Sequence, residues 1–84
     1  MSRVLIVDDD ISIANLISDA LEDEGFETEV RTDGKSAYEY ILNNLSDISL
    51  VTLDIMMPEI SGMDLCKFIR DKVSCPIIFV SAKG

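Results

Sequence analysis

The side chains able to do chemistry in this sequence are nearly all oxygen donors, and they fall where apolar runs end. Residues 4–7, Val-Leu-Ile-Val, run straight into Asp8, Asp9 and Asp10; the run over residues 48–53 stops at Asp54; the run over residues 77–80 stops at Ser81. If each run is a strand of one parallel sheet, these residues collect at the carboxyl ends of the strands, where open α/β sheets carry their binding crevices. With the first and third strands adjacent, at least three carboxylates share one small volume, which is costly unless a cation neutralises them or one keeps its proton. An all-oxygen set suits a hard, partly hydrated ion, so Mg²⁺ is the expected metal, with Mn²⁺ as the alternative. Asp8, Asp9 and Asp10 also admit a plainer reading, as a solvated loop that caps a helix.

The spacing of apolar residues supplies the scaffold. Residues 4–7 read as a strand buried on both faces. Ile13, Leu16, Ile17, Ala20 and Leu21 form a helical stripe, with Asp10 as N-cap and Gly25 as the stop. Phe26, Thr28 and Val30 alternate with Glu27, Glu29 and Arg31, as in a half-exposed strand at a sheet edge. Beyond Thr32-Asp33-Gly34, a second helical stripe comprises Ala37, Tyr38, Ile41, Leu42 and Leu45; a third comprises Leu65, Cys66, Ile69 and Val73, with Ser61 as cap. Pro76 opens the last strand. The order βαβαβαβ predicts an α/β, doubly wound parallel sheet with right-handed crossovers and helices on both faces.

Composition removes several classes of function. Of 84 residues, 16 are acidic and 7 basic, with no His, for a net charge of −9. Such a chain is repelled by nucleic-acid phosphates and anionic membranes, and acid/base catalysis by His is impossible. At 48% hydrophobic, the chain reads as one globular domain. Cys66 and Cys75 support neither a disulfide framework nor a zinc site and read as small core residues. No apolar run approaches the roughly 20 residues of a membrane span. The acidic start differs from a signal peptide, so a cytoplasmic location is expected.

Three motifs carry a family resemblance. Val7-Asp8-Asp9 follows an apolar strand, Leu53-Asp54-Ile55-Met56-Met57-Pro58 precedes Gly62, and Pro76-Ile77-Ile78-Phe79-Val80-Ser81-Ala82 closes the chain. In this order and at these spacings, along essentially all 84 residues, they resemble the receiver domain of bacterial two-component response regulators. The resemblance implies a flavodoxin-like fold with strand order 2-1-3-4. It also implies that Asp54 accepts a phosphoryl group from a phosphohistidine on a sensor histidine kinase and so switches an output domain, expected to be transcriptional. Asp8 and Asp9 would hold Mg²⁺, Asp9 directly and Asp8 largely through water, with the backbone carbonyl of Met56 as a further ligand. Ser81 would contact the phosphoryl group. Such a domain is a phosphoacceptor that assists its own phosphorylation and dephosphorylation rather than an enzyme.

The family's fifth strand, the lysine that ends it and the last two helices have no counterpart here. Lys83 lies too soon after Ser81 to be that lysine. Residues 1–84 are therefore expected to form an incomplete receiver domain, a (βα)3β portion of a (βα)5 fold. Self-association through the uncharged strand-four edge is expected to follow. A rival resemblance lies in Asp8-x-Asp10-x-Ser12 together with Ser81, which is similar to the first motifs of haloacid-dehalogenase-type phosphatases. It would make Asp8 the nucleophile and Asp10 the general acid, and it leaves Asp54 and Met57-Pro58 unexplained. No glycine-rich loop follows the first strand to hold a nucleotide.

Overall fold

A computed structural model describes residues 2–80. Its elements are β1 (Arg3–Val7), α1 (Ile11–Asp23), β2 (Glu27–Arg31), α2 (Gly34–Asn43), a short 3₁₀ turn (Leu45–Asp47), β3 (Ile48–Asp54), α3 (Gly62–Ile69) and β4 (Ile77–Val80). All three ladders are parallel, as the alternation of elements predicts, and the strand order is β2-β1-β3-β4, as the family resemblance implies. Val7 pairs with Leu53, so β1 and β3 end side by side. Ser81, Ala82 and Lys83 lie outside the described residues.

From Val4 to Val7, β1 is apolar because it serves two cores. Leu5 and Val7 join Val51 and Leu53 beneath Ala37 and Ile41 of α2 and Leu65 and Ile69 of α3. Val4 and Ile6 face Ala14 of α1 on the opposite side. Helices thus cover both faces, and full burial of each such Leu, Ile or Val is worth about 1.5–3 kcal/mol. The helix starts are fixed by side-chain caps from Asp10, Asp33 and Ser61. Gly25 leaves α1 with φ 95°, a conformation open mainly to glycine.

Three details of the sequence reading need correction. The buried face of α1 centres on Ala14 and Ser18 with Ile17 and Leu21 beside them, whereas Leu16 is 71% exposed. The small side chain of Ala14 lets the helix approach the sheet. The Ser18 hydroxyl is tolerated because it shares a 2.6 Å hydrogen bond with Thr28, whose own hydroxyl donates to Glu22. A count of apolar residues alone misses that polar contact. In the second stripe, α2 ends at Asn43 and Leu45 falls in the 3₁₀ turn. The Asn43 and Asn44 amides donate to the carbonyls of Glu39 and Tyr40 at the end of that helix. In the third, α3 ends at Ile69, and Val73 packs against the core from the following turn.

Candidate functional site

Asp8 continues the line of β1, its backbone N–H donating to the Arg31 carbonyl at 3.2 Å. Its side chain is buried at the end of the sheet, where Oδ1 accepts the Asp10 N–H at 2.9 Å. Asp9 is exposed. Asp54 is the last residue of β3, pairs with Val80 and is also buried, with its Oδ1 accepting the Met56 N–H at 3.2 Å. One carboxylate oxygen from each of Asp8, Asp9 and Asp54 lies within 4.8 Å of the other two. Asp10 does not join them: its carboxylate accepts from the Ser12 and Ile13 N–H groups at the start of α1. The capping role proposed for the acidic trio therefore belongs to Asp10, while Asp8 and Asp9 turn toward Asp54.

Burial pushes the Asp54 carboxyl up to about 6, and the Asp9 side chain and the charges of Asp8 and Asp9 add to the rise. The Met56 N–H acts in the opposite sense. Among the described residues the ion pairs are Arg3–Glu27 and Arg31–Glu29, on the β2 side of the sheet, so neither supplies a cation to the cluster. The donor set is all oxygen and close enough for shared coordination, and among the described residues no ion pair neutralises it, which fits a small hard divalent ion.

The loop leaving Asp54 is held at both ends. The Met57 side chain is buried in the core shared with α2 and α3, while that of Met56 is 72% exposed. The Ile60 N–H donates to the Pro58 carbonyl at 2.7 Å, and the Gly62 N–H donates to the Ile55 carbonyl at 3.1 Å. Glu59 between them takes φ 66°, a costly conformation for a residue with a side chain. The burial of Met57 escaped the sequence reading because it belongs to no periodic stripe; its signal is an apolar residue inside a loop rich in turn formers. Cys66 and Cys75 are free, half-buried and packed against the core, as expected of small apolar residues. Burial raises the Cys75 thiol, which leaves it less reactive.

Residues 4–84 match the family model of the response regulator receiver domain. The chain belongs to that family. It is 39% identical over 84 residues to the response regulator ArlR of Staphylococcus saprophyticus, a match covering 100% of this chain and 37% of ArlR. It is 40% identical over 81 residues to the DNA-binding response regulator MtrA of Mycobacterium leprae, covering 96% of this chain and 35% of MtrA. The chain thus spans little more than a third of the length of these relatives. Among solved structures, the receiver chain superimposes with a TM-score of 0.88 on the response regulator TrrA of Thermotoga maritima in complex with Mg²⁺ and BeF, at 35% identity over 100% of this chain and 72% of TrrA. It matches TrrA in complex with the histidine kinase ThkA at a TM-score of 0.87. The fold is therefore the flavodoxin-like receiver fold, and the chain is a receiver domain of the two-component type.

Proposed function

We propose that this receiver domain accepts a phosphoryl group on Asp54 from the phosphohistidine of a sensor histidine kinase, with Mg²⁺ held by Asp8, Asp9, Asp54 and the Met56 carbonyl. The observation that carries this reading is the convergence of Asp8 and Asp9 on Asp54, with oxygens of all three within 4.8 Å. Asp54 alone of the three ends the strand facing the other two, and the Met56 N–H fixes one of its oxygens. In the transfer, an oxygen of Asp54 attacks phosphorus, a P–O bond forms, the P–N bond to the imidazole breaks and the imidazole leaves with the electron pair. When bound, Mg²⁺ supplies the positive charge that lets two anions meet and lowers the charge cost of the transition state. Asp8 and Asp9 orient that charge beside Asp54, and burial of Asp8 and Asp54 strengthens the effect by excluding water. Ser81 is assigned to the phosphoryl oxygens by family resemblance. The domain acts as a phosphoacceptor rather than as an enzyme on a separate substrate, and its phosphorylation switches a transcriptional output. Acid-stable trapping of the acyl phosphate and mapping of the labelled residue test the assignment; label on Asp8 would favour the phosphatase reading.

The Asp10 carboxylate supports the same choice, because two N–H groups of α1 already occupy it, an awkward arrangement for a general acid. For partners, net charge −9 argues against nucleic-acid or membrane binding by these residues. We infer that the 84-residue chain self-associates through β4. Among the described residues β4 pairs with β3 alone, carries no charge, and leaves Ile78 49% and Phe79 37% exposed. The β2 edge, by contrast, carries Glu27, Glu29 and Arg31, with the Arg31 guanidinium 4.7 Å from the centre of the Tyr40 ring. Charges of this kind discourage edge-to-edge pairing.

A further inference from the structure

Gly62 opens α3 directly against the peptide that carries Asp54. A Cβ at this position would lie 2.9 Å from the Asp54 carbonyl carbon and 3.1 Å from the Ile55 Cα, and closer still to the Asp54 carbonyl oxygen. These are backbone atoms at the end of β3 and the start of the following loop, so no side chain can rotate away to relieve the overlap. Positive φ among the described glycines belongs to Gly25, so what Gly62 contributes is space rather than an unusual backbone angle. Its N–H donates to the Ile55 carbonyl at 3.1 Å, and Met57 anchors the intervening loop in the core. The same loop carries the Met56 N–H that binds Asp54 Oδ1.

We propose that Gly62 is a positioning residue for Asp54: by lacking a side chain, it lets the first turn of α3 rest on the Asp54–Ile55 backbone and thereby sets where the Asp54 carboxylate points relative to Asp8 and Asp9. This rests on the assignment of Asp54 as phosphoacceptor. Gly62 touches no reacting atom itself. A Cβ there forces α3 away from β3 or tilts the Asp54 peptide, and either motion moves the carboxylate relative to its neighbours. The contact also joins α3 mechanically to the site, since a displacement of Asp54 is passed to the helix with no flexible side chain between them.

The test compares Gly62→Ala with Ile41→Val, a buried change on α2 away from the site. Circular dichroism verifies folding, the carbonyl ¹³C shift of the Asp54 side chain and the Met56 amide shift report position, and Mg²⁺ titration and labelling by acetyl phosphate report function. Gly62→Ala is expected to move both resonances, to raise the Mg²⁺ Kd at least fivefold and to slow labelling at least tenfold, while Ile41→Val stays within twofold of the wild type. Unmoved resonances and a Kd within twofold for folded Gly62→Ala overturn the proposal. If Gly62→Ala does not fold, Met57→Ala loosens the same loop without adding atoms and is compared with Ile41→Ala. A threefold or greater rise in Kd confined to Met57→Ala supports the proposal, and equal values for the two variants overturn it. A wild-type chain that labels elsewhere than Asp54 instead sinks the functional assignment, whatever Gly62→Ala does to the Asp54 resonance.

Discussion

The backbone N–H of Met56 donates to Asp54 Oδ1 at 3.2 Å, tying the loop that leaves β3 to the carboxylate it follows. This bond favours the ionised form of Asp54 against the burial and the acidic neighbours that oppose it. Asp54 thus sits between two tendencies, and a divalent cation bound beside it would favour the anion.

Phosphorylation should depend on Asp54 and on its neighbours to different degrees. With acetyl phosphate and Mg²⁺, Asp54→Asn is expected to abolish acid-stable label, because the amide lacks the anionic nucleophile. Asp9→Asn should slow labelling by about tenfold or more, roughly 1.4 kcal/mol of barrier. Retained label in Asp54→Asn would contradict the assignment.

Metal affinity should separate Asp9 from Asp10. Asp9→Asn removes an anionic donor while keeping its shape and should raise the Mg²⁺ Kd about tenfold by calorimetric titration. Asp10→Ala should leave that Kd within twofold and lower stability by about 1 kcal/mol, the usual loss for an N-cap that accepts from Ser12 and Ile13. The reverse pattern would move the site to Asp10.

The pH dependence follows from the raised Asp54. Below the ordinary carboxylate range, Asp54 is protonated in both folded and unfolded chains. Between that range and about 6, the folded chain keeps a proton that the unfolded chain has lost, so this contribution to stability falls as pH rises and is gone above about 6. Urea unfolding without metal should therefore show wild type losing about 1–2 kcal/mol relative to Asp54→Asn between pH 4 and 7. Parallel curves would show that Asp54 titrates normally.

Association should report on β4. The charge of −9 opposes close approach, but the screening length is about 8 Å at physiological salt, so an apolar edge can still pair. Sedimentation is expected to show dimers at micromolar concentration, dispersed by Phe79→Lys and strengthened by added salt. A wild-type monomer throughout that range would refute pairing through this edge.

The alternation of elements, the two-sided burial of β1 and the caps at Asp10 and Ser61 were legible in the sequence because each depends on local spacing: period two or 3.6 for the faces, and a side chain reaching N–H groups two or three residues ahead for the caps; the cap at Asp33, which the sequence shows only as part of a turn, came from the structure. The motif order was sufficient to suggest the family and to single out Asp8, Asp9 and Asp54. Tertiary structure decided how those carboxylates are divided. The register that sets Val7 beside Leu53 brings Asp8 and Asp9 to Asp54, while helix geometry draws the Asp10 side chain to α1. It also decided which face of α1 is buried, since Ser18 is accommodated by its hydrogen bond to Thr28 on another element. The contact between Gly62 and the Asp54 backbone belongs to the same class. Periodicity records what each segment hides from water, but a distance between segments depends on register and packing, and these exist only once the chain has folded.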